Sequence, residues 1–343
     1  MFLNFFYYIY FMDIVSIIKK SGVPRYKQII TSVEEAIVNG SLRKGDKLPS
    51  LNSIKNKHEV SRDTVFTAFN ELRCRGVIES IAGKGFYVAS EDVLLNQKIF
   101  LLFDEFNSFK EDLYNSFIDN LGDGVQVDIF FHHFNEKVFS KLIYDNIGDY
   151  SCYVIMPANL PHTHQVIDKL PKDKVYILDQ THKELAQYPA IYQNFRKDII
   201  EGLNSALHAI SKYEKIILLF DKNKQPQGVL EGFNFFCKRN NLRNEIVDSL
   251  DTRKPIDGEI FVIPEDRSLI KIIKKIKEEG LLLSKNIGII SYNDTLLKEI
   301  VEGGITTIST DFNEMGKRLA QMILNKENVK IENPTDLIIR KSL

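Results

Sequence analysis

Residues 47–88 constrain the fold of this chain more than any other part of its sequence. Three short motifs mark this stretch: Leu48-Pro49-Ser50, Val60-Ser61-Arg62 and Gly83-Lys84-Gly85. A serine directly before apolar residues that recur every three or four positions is typical of a helix N-cap. The pattern therefore predicts two short helices that begin at Ser50 and Ser61, joined by a turn at residues 58–59.

The second of these helices is predicted over residues 61–75. Val65, Ala68 and Leu72 are spaced to pack inward, which turns the polar and basic N-terminal half outward. A further apolar face predicts a helix over residues 24–39 in front of the pair. Residues 77–81 and 86–88 are predicted to form strands around the glycine-rich tip. This order of elements is that of a winged helix-turn-helix, which places one helix in the DNA major groove.

Seven polar or basic side chains are the candidate DNA contacts: Ser50, Asn52, Ser61, Arg62, Thr64, Thr67 and Lys84. Arg62 can bond a guanine through two hydrogen bonds, or a phosphate. The hydroxyls of Ser61 and Thr64 can reach phosphates beside a helix N-terminus. Lys84 lies where a wing would meet the backbone or the minor groove. The alternative is a packing module of three helices with a solvated basic face.

The charge distribution supports a nucleic-acid partner, although the formal net charge of the chain is only −1. Residues 13–89 contain 13 Lys/Arg and 8 Asp/Glu, whereas the remaining residues contain 32 and 38. A basic N-terminal module on an acidic body is expected of a DNA reader joined to a second function.

Residues 24–89 resemble the GntR family of bacterial transcription regulators. The positions that match the family pattern are Pro24, Tyr26, Ile29, Gly40, Gly45, Leu48, Pro49, Ser50, Val60, Ser61, Arg62, Thr64, Val65, Gly76, Ile78, Gly83 and Gly85. Two departures bear on the operator sequence. The family often has arginines where this chain has Asn52 and Phe66, so the resemblance implies the mode of DNA binding and leaves the sequence read open.

The first 12 residues are apolar and aromatic apart from Asn4, and no charge precedes Asp13. A secretory signal needs a positive n-region, and a membrane span needs about 20 apolar residues. We therefore interpret Met12 as the biological start, with an adhesive interaction tail as the alternative. The three cysteines are far apart, which indicates reduced thiols in a cytoplasmic protein.

The rest of the chain alternates short apolar runs with helical segments. Strands are predicted at residues 98–103, 125–131, 151–156, 174–178, 215–220, 245–247, 259–263 and 286–291. Helices are predicted near residues 108–120, 161–169, 196–212, 226–240, 266–280 and 294–301. This rhythm is typical of parallel α/β architecture. We predict a DNA-binding domain at residues 12–89, a linker at 90–97, and a two-lobed domain at 98–343 with its ligand in the cleft.

The end of this body is the part that carries a second resemblance. Residues 285–294 contain the predicted strand 286–291 and end in Asn293-Asp294, Thr306-Thr307 follow, and Met315-Gly316 lie in a helix that is predicted to begin near Asp311. These motifs resemble the LacI-type effector domain, which has a periplasmic-binding-protein-like fold. The resemblance is specific at residues 285–324 and looser elsewhere in the body. It implies a homodimer that senses a small carbohydrate.

Carried over residue by residue, the resemblance implies a set of effector contacts at strand ends: Asp104, Asn107, Phe109, Gln180, Gln193 and Asp266. Asp266 would accept hydrogen bonds from two adjacent hydroxyls, and Phe109 would stack on a sugar face. Many relatives have an effector-binding arginine where this chain has Val229. Its loss favours a neutral monosaccharide such as a deoxy sugar or a pentose. Each residue can equally be a polar cap at a strand end.

The sequence carries no metal-ligand spacing, P-loop, GxGxxG or GxSxG motif, and it implies no cofactor. His132-His133 and the pair His162 and His164 are interpreted as surface or loop histidines. We predict a cytoplasmic, non-enzymatic repressor of carbohydrate-utilisation genes that binds operator DNA and no membrane. The alternatives are a pyridoxal-phosphate aminotransferase-like body, for which the chain is short, and a solute-binding protein of a transporter.

Overall fold

A computed structural model describes residues 14–19, 21–91, 97–122 and 124–343 of the chain. The predicted start at Met12, the apolar segment before it and residues 92–96 of the predicted linker lie outside the described residues.

Three helices and a two-stranded sheet form the N-terminal module. They are α1 (Arg25–Val38), α2 (Leu51–His58), α3 (Arg62–Cys74), β1 (Ile78–Ile81) and β2 (Gly85–Val88). Both serine caps are confirmed, because Ser50 accepts a hydrogen bond from the Ser53 amide at 3.1 Å and Ser61 accepts one from the Thr64 amide at 3.0 Å. Between α2 and α3 the chain turns at Glu59, which is left-handed with φ 52°.

The core of this module combines the predicted inward faces of α1 and α3 with apolar residues of α2, β1 and β2. Val65, Ala68 and Leu72 are fully buried, as is Val33 of α1. Arg75, directly after α3, pairs with the buried Glu34 of α1 at 2.5 Å. Burial raises the pKa of Glu34, and the neighbouring Arg75 guanidinium opposes that rise. The ion pair fixes the end of α3 against α1 and so fixes the angle at which α3 projects.

The N-terminal lobe of the body begins with alternating strands and helices. These are β3 (Gln97–Phe103), α4 (Ser108–Leu121), β4 (Val125–Phe131), α5 (Glu136–Asp145), β5 (Cys152–Ile155), α6 (Thr163–Ile167), β6 (Val175–Asp179) and β7 (Ala190–Tyr192).

The C-terminal lobe continues the same alternation. It contains α7 (Phe195–Ser205), α8 (Leu207–Ile210), β8 (Lys215–Leu219), α9 (Gln227–Arg239), β9 (Asn244–Val247), β10 (Glu259–Ile263), α10 (Asp266–Glu278), β11 (Gly288–Tyr292), α11 (Leu296–Ile300) and β12 (Thr306–Thr310). The last elements are α12 (Phe312–Leu324), β13 (Lys330–Glu332) and β14 (Thr335–Ile338).

Each lobe is built on a six-stranded sheet. The strand order is β13-β7-β6-β5-β3-β4 in the first lobe and β14-β12-β11-β10-β8-β9 in the second. All pairs are parallel except β12 with β14. Parallel strands need helical crossovers that cover both faces of a sheet, which accounts for the continuous apolar runs in β3, β8 and β10.

The chain crosses between the lobes three times: after β7, after β12 and after β13. The second crossing returns α12 to the N-terminal lobe, where Met315 and Leu319 share one apolar cluster with Leu113 and Phe117 of α4. The two helices approach closely at Gly316, because a Cβ there would lie 2.3 Å from the Leu113 carbonyl oxygen. The lobes are therefore joined at three points on one side of the cleft.

The N-terminal module contacts the first lobe away from that cleft. Lys27 of α1 donates to the Ile147 carbonyl at 3.3 Å and forms an ion pair with Asp149, in the loop between α5 and β5. Two glycines in this contact leave no room for a side chain. A Cβ on Gly22 would lie 2.0 Å from the Lys169 carbonyl oxygen, and one on Gly148 would lie 2.7 Å from Val23. The module thus sits on the lobe through backbone-close packing and one ion pair.

Some predicted elements differ from the structure. The helix predicted over residues 196–212 is two helices, because the chain leaves helical geometry at Ala206. Helix α5 and the strands β7, β12, β13 and β14 were not predicted. Among the described helices, none has the length and apolar character to cross a bilayer.

Candidate functional site

The outward face of α3 carries most of the predicted DNA contacts. Arg62 and Thr67 are exposed, and the Arg62 guanidinium has no hydrogen bond or ion pair with another described residue. Thr64 is half-buried, and its hydroxyl lies 2.8 Å from the Ser61 hydroxyl. One hydroxyl of that pair donates to the other, so a single O–H remains for a phosphate at the helix N-terminus.

Helix α2 and the wing flank this face. Ser50 and Asn52 are exposed at the start of α2, where the Ser50 oxygen is engaged as the helix cap. Lys84 is exposed at the tip of the hairpin, between Gly83 and Gly85 at φ 73° and φ 112°. Left-handed backbone at both glycines makes the tight tip possible. The module therefore presents two cations without protein partners among the described residues, Arg62 at the start of α3 and Lys84 at the tip of the wing.

In the body, polar side chains gather where parallel strands end. Asp104 follows β3, is buried, and is paired with the buried Lys110 of α4. Asp179 ends β6, and burial raises the pKa of its carboxyl group to about 6. Its carboxylate accepts a hydrogen bond from the Gln193 side chain at 2.6 Å. The predicted site residues Asp104 and Gln193 thus have protein partners of their own.

A polar network occupies the first crossing between the lobes. The Tyr292 hydroxyl lies 3.4 Å from the Gln193 side-chain oxygen and 3.3 Å from an Asp198 oxygen. Burial raises the pKa of Asp198 to about 7. The network therefore links Asp179 of the first lobe to Asp198 of the second through Gln193 and Tyr292.

The third crossing is held by Asn333, which is 2% exposed. Its side-chain amide donates to the Thr310 hydroxyl at 2.7 Å and to the Asp311 carbonyl at 3.0 Å. Because Thr310 and Asp311 belong to the second crossing, one side chain joins two of the three connections. These shared hydrogen bonds restrict rotation of one lobe relative to the other about the three connections.

Asp266 is held by a partner that the sequence did not suggest. Its carboxylate lies 2.8 Å from the ammonium of Lys298, whose side chain is 1% exposed. That ammonium also donates to the Tyr292 and Asn293 carbonyls at 2.8 and 2.6 Å. Burial lowers the pKa of Lys298, and the Asp266 charge opposes this. One Asp266 oxygen is therefore committed to the protein, and the side chain is 36% exposed.

The lobes also touch across the mouth of the cleft. Gln180 donates to the Asn159 side chain at 2.7 Å, and Asn159 in turn donates to the Gln225 carbonyl of the second lobe. Glu105 lies 3.5 Å from the ammonium of Lys224. These contacts bring Gln180 to the boundary between lobes, and they add Asn159 to the residues that face it.

Asn107 and Phe109 both make contacts within the protein at the start of α4. The Asn107 side chain caps the helix by accepting from the Lys110 amide at 3.2 Å. Phe109 stacks on Phe312 of α12, with ring centroids 4.8 Å apart. One face of the Phe109 ring is therefore occupied by protein.

One interpretation of the sequence needs correction, and one position is placed by the structure. Val229 is 2% exposed and packs in the core of the second lobe. His132 is not a surface residue. Its ring is fully buried at the end of β4, lies 3.1 Å from the Met156 carbonyl, and has a pKa lowered by burial.

Comparison with known proteins finds family matches in two separate parts of the chain. Residues 25–88 match the model of the gntR family of bacterial regulatory proteins. The HTH-type transcriptional repressor YtrA of Bacillus subtilis is 32% identical over 114 residues, which cover 33% of this chain and 84% of YtrA. The chain belongs to the gntR family of bacterial regulatory proteins.

Other similar proteins extend over the body of this gntR-family chain. Residues 209–343 match the periplasmic binding protein-like domain. The arabinose metabolism transcriptional repressor of Geobacillus stearothermophilus is 20% identical, covering 95% of this chain and 97% of that protein. The mannosyl-D-glycerate transport/metabolism system repressor MngR of Escherichia coli is 28% identical over 202 residues, covering 59% and 72%.

Solved structures establish the fold of the two lobes. A LacI family transcriptional regulator from Silicibacter pomeroyi superposes with a TM-score of 0.61 at 14% identity, covering 72% of this chain and 98% of that one. The LacI family regulator CCPA from Weissella paramesenteroides, solved with bound sucrose, has a TM-score of 0.57 at 16% identity over the same shares. The aminotransferase-like alternative is unsupported, because the body has the periplasmic-binding-protein-like fold.

Proposed function

We propose that this gntR-family protein is a repressor of carbohydrate-utilisation genes whose affinity for operator DNA is controlled by a small sugar bound between the lobes. The observation that carries the proposal is the combination in one chain of a winged helix-turn-helix with unshielded Arg62 and Lys84 and a two-lobed body of LacI type. Similarity to the arabinose repressor over nearly the whole chain supports this combination.

The DNA contacts in this proposal are Ser50, Asn52, Ser61, Arg62, Thr64, Thr67 and Lys84. Arg62 is the base-reading candidate, because a guanidinium can bond two acceptors of a guanine edge. Lys84 and the hydroxyl pair of Ser61 and Thr64 contact the backbone, which sets register and carries no sequence information.

The effector contacts in this proposal are Asp104, Asn107, Phe109, Gln180, Gln193 and Asp266, with Asn159 added by its place at the lobe boundary. The uncommitted Asp266 oxygen accepts from a sugar hydroxyl, and Lys298 holds the carboxylate in place. Gln193 acts mainly through the polar network at the first crossing between the lobes, and Asp104 through its ion pair with Lys110, because their polar atoms already bond to protein. A polyhydroxylated neutral ligand matches such a set of amides and carboxylates.

A homodimer is part of the proposal. Three apolar side chains of α11, namely Leu296, Leu297 and Ile300, are 81%, 43% and 76% exposed, and Ile339 after β14 is 67% exposed. Arg340 beside Ile339 bonds Asp294 at 2.7 Å, which holds these segments close together. An apolar patch of this kind on the second lobe supports burial against a second copy. A dimer would present two modules to a pseudo-palindromic operator.

Coupling in this proposal runs through the position of the first lobe. The module rests on that lobe through Lys27 and Asp149, so a rotation of the lobe about the three crossings moves the module. Allosteric coupling energies are typically about 1–3 kcal/mol, which changes affinity about 5–150-fold. By reciprocity, operator DNA weakens binding of the inducing sugar by the same factor.

The protein in this proposal catalyses no reaction and acts in the cytoplasm.

Binding to DNA from the region upstream of the protein's own gene tests sequence-specific DNA recognition. Fluorescence anisotropy between about 50 and 200 mM salt should show a specific complex whose affinity falls as salt rises, because phosphate contacts release counterions. Scrambled duplex of equal length is the control. Equal affinity for both duplexes at every salt concentration would refute the reading function.

A thermal-shift panel of arabinose, xylose, fucose, glucose, maltose and sucrose tests the sensor. The sugar that stabilises the protein should change operator affinity, and Asp266→Asn should lose the shift. Asp257→Asn, at an exposed carboxylate of the same lobe, is the matched control and should keep it. Stabilisation by none of these sugars, with operator affinity unchanged by all of them, would contradict the carbohydrate assignment.

A further inference from the structure

Phe66 is an exposed aromatic residue on the helix that faces DNA. Its side chain is 50% exposed, whereas its chain neighbour Val65 and Phe69 in the same helix are fully buried. It is not among the residues of the apolar core or those packed against it. The sequence around it is otherwise polar, with Asp63, Thr67 and Asn70 on the outward side of α3.

The position of Phe66 on α3 points its ring in the direction of Arg62. Residues four apart lie above one another on a helix face, so Phe66 is one turn further along the face that begins with Arg62. Four residues advance the helix by about 6 Å, which spans about two base-pair steps of 3.4 Å. If Arg62 contacts a base edge, the Phe66 ring reaches the groove within about two base pairs of it.

A phenyl ring can recognise only one feature of the major groove. It has no hydrogen-bond donor or acceptor, and the apolar feature displayed by the base edges is the C5-methyl group of thymine. We infer that Phe66 reads a thymine methyl group in each half-site, within about two base pairs of the base contacted by Arg62. The inference rests on the proposed function, because it requires that α3 enters the major groove.

Selection of duplexes from a random pool provides the first test, with the full-length chain and two variants. The native protein should enrich sequences with thymine at one fixed position of each half-site. Phe66→Ala should lose the preference at that position alone, and Phe66→Arg should replace it with guanine. Val38→Ala, at a 58% exposed apolar residue on α1, is the matched control and should enrich the native sequence.

Replacement of that thymine by deoxyuridine provides the second test, because it removes only the methyl group. The native protein should bind the uridine duplex about three- to tenfold more weakly, as expected for exposing one buried methyl group. Phe66→Ala should bind both duplexes equally. Placing 5-methylcytosine at this position should restore part of the loss relative to cytosine.

The outcomes separate this inference from the proposed function. Failure of the native protein to enrich any sequence would contradict DNA reading itself. Enrichment of the same sequence by the native protein and by Phe66→Ala would overturn the role of Phe66 while leaving DNA reading intact. An unchanged affinity on deoxyuridine substitution would do the same.

Discussion

Replacement of Asp198 by asparagine should remove a pH dependence from the stability of the body. Asp198 lies in the first turn of α7, is 5% exposed, and has a pKa raised from 3.8 to about 7 by burial. A carboxyl group whose pKa is higher in the folded protein binds its proton more tightly there. It therefore stabilises the fold fully below about pH 4, and the contribution is lost as the pH rises through about 7.

The magnitude follows from the two pKa values. Each pH unit between 3.8 and about 7 corresponds to about 1.4 kcal/mol, so the full contribution is about 4 kcal/mol. Between about pH 5 and pH 8 the native protein should lose roughly 3 kcal/mol of unfolding free energy through this group. The Asp179 carboxyl group, with a pKa raised to about 6, contributes in the same direction in both proteins.

Urea unfolding at several pH values provides the measurement. The chain has no tryptophan, so far-ultraviolet circular dichroism is the suitable signal. The free-energy difference between the native protein and Asp198→Asn should shift in favour of the variant as the pH rises. Asp257→Asn, at an exposed carboxylate, should follow the native protein. Parallel curves for the native protein and Asp198→Asn would refute the argument from burial.

Three further changes test other parts of the structure. Arg62→Ala should weaken specific DNA binding by about 1–3 kcal/mol in an operator titration, and unchanged affinity would remove Arg62 from the interface. Lys298→Met should lower the unfolding free energy by about 2–6 kcal/mol in urea, since two buried carbonyls lose their donor at about 1–3 kcal/mol each. Asp266→Asn, at the more exposed partner, should cost less, and an equal cost would contradict this account. Asp149→Ala should speed amide exchange at the start of α1 without changing the melting temperature of the body, because it removes the ion pair with Lys27; unchanged exchange would show that this ion pair does not hold the module.

The sequence predicted best the features that depend on neighbouring residues. The caps at Ser50 and Ser61 are local hydrogen bonds within three residues, and the inward face of α3 follows from helical periodicity. The strands β3, β8 and β10 were predicted because each contains a buried apolar run between polar segments. In each case the chain segment itself contains the physical cause of the structure.

Features that depend on distant residues were not predictable in this way. Lys298 and Asp266 are 32 positions apart, and only the fold brings the ammonium into reach of the carboxylate. Strand β13 has three residues, so its pairing with β7 is defined by the sheet rather than by its own composition.

The three crossings between the lobes limit how this protein can be divided. The described part of the N-terminal module is contiguous apart from residue 20, whereas each lobe is assembled from separate segments of chain. A single cut and join can therefore give the module a new partner, but no single cut releases a lobe that has its whole sheet. Recombination between related genes could therefore exchange the N-terminal module, and with it the DNA specificity. The two-lobed body would have to be transferred as one unit.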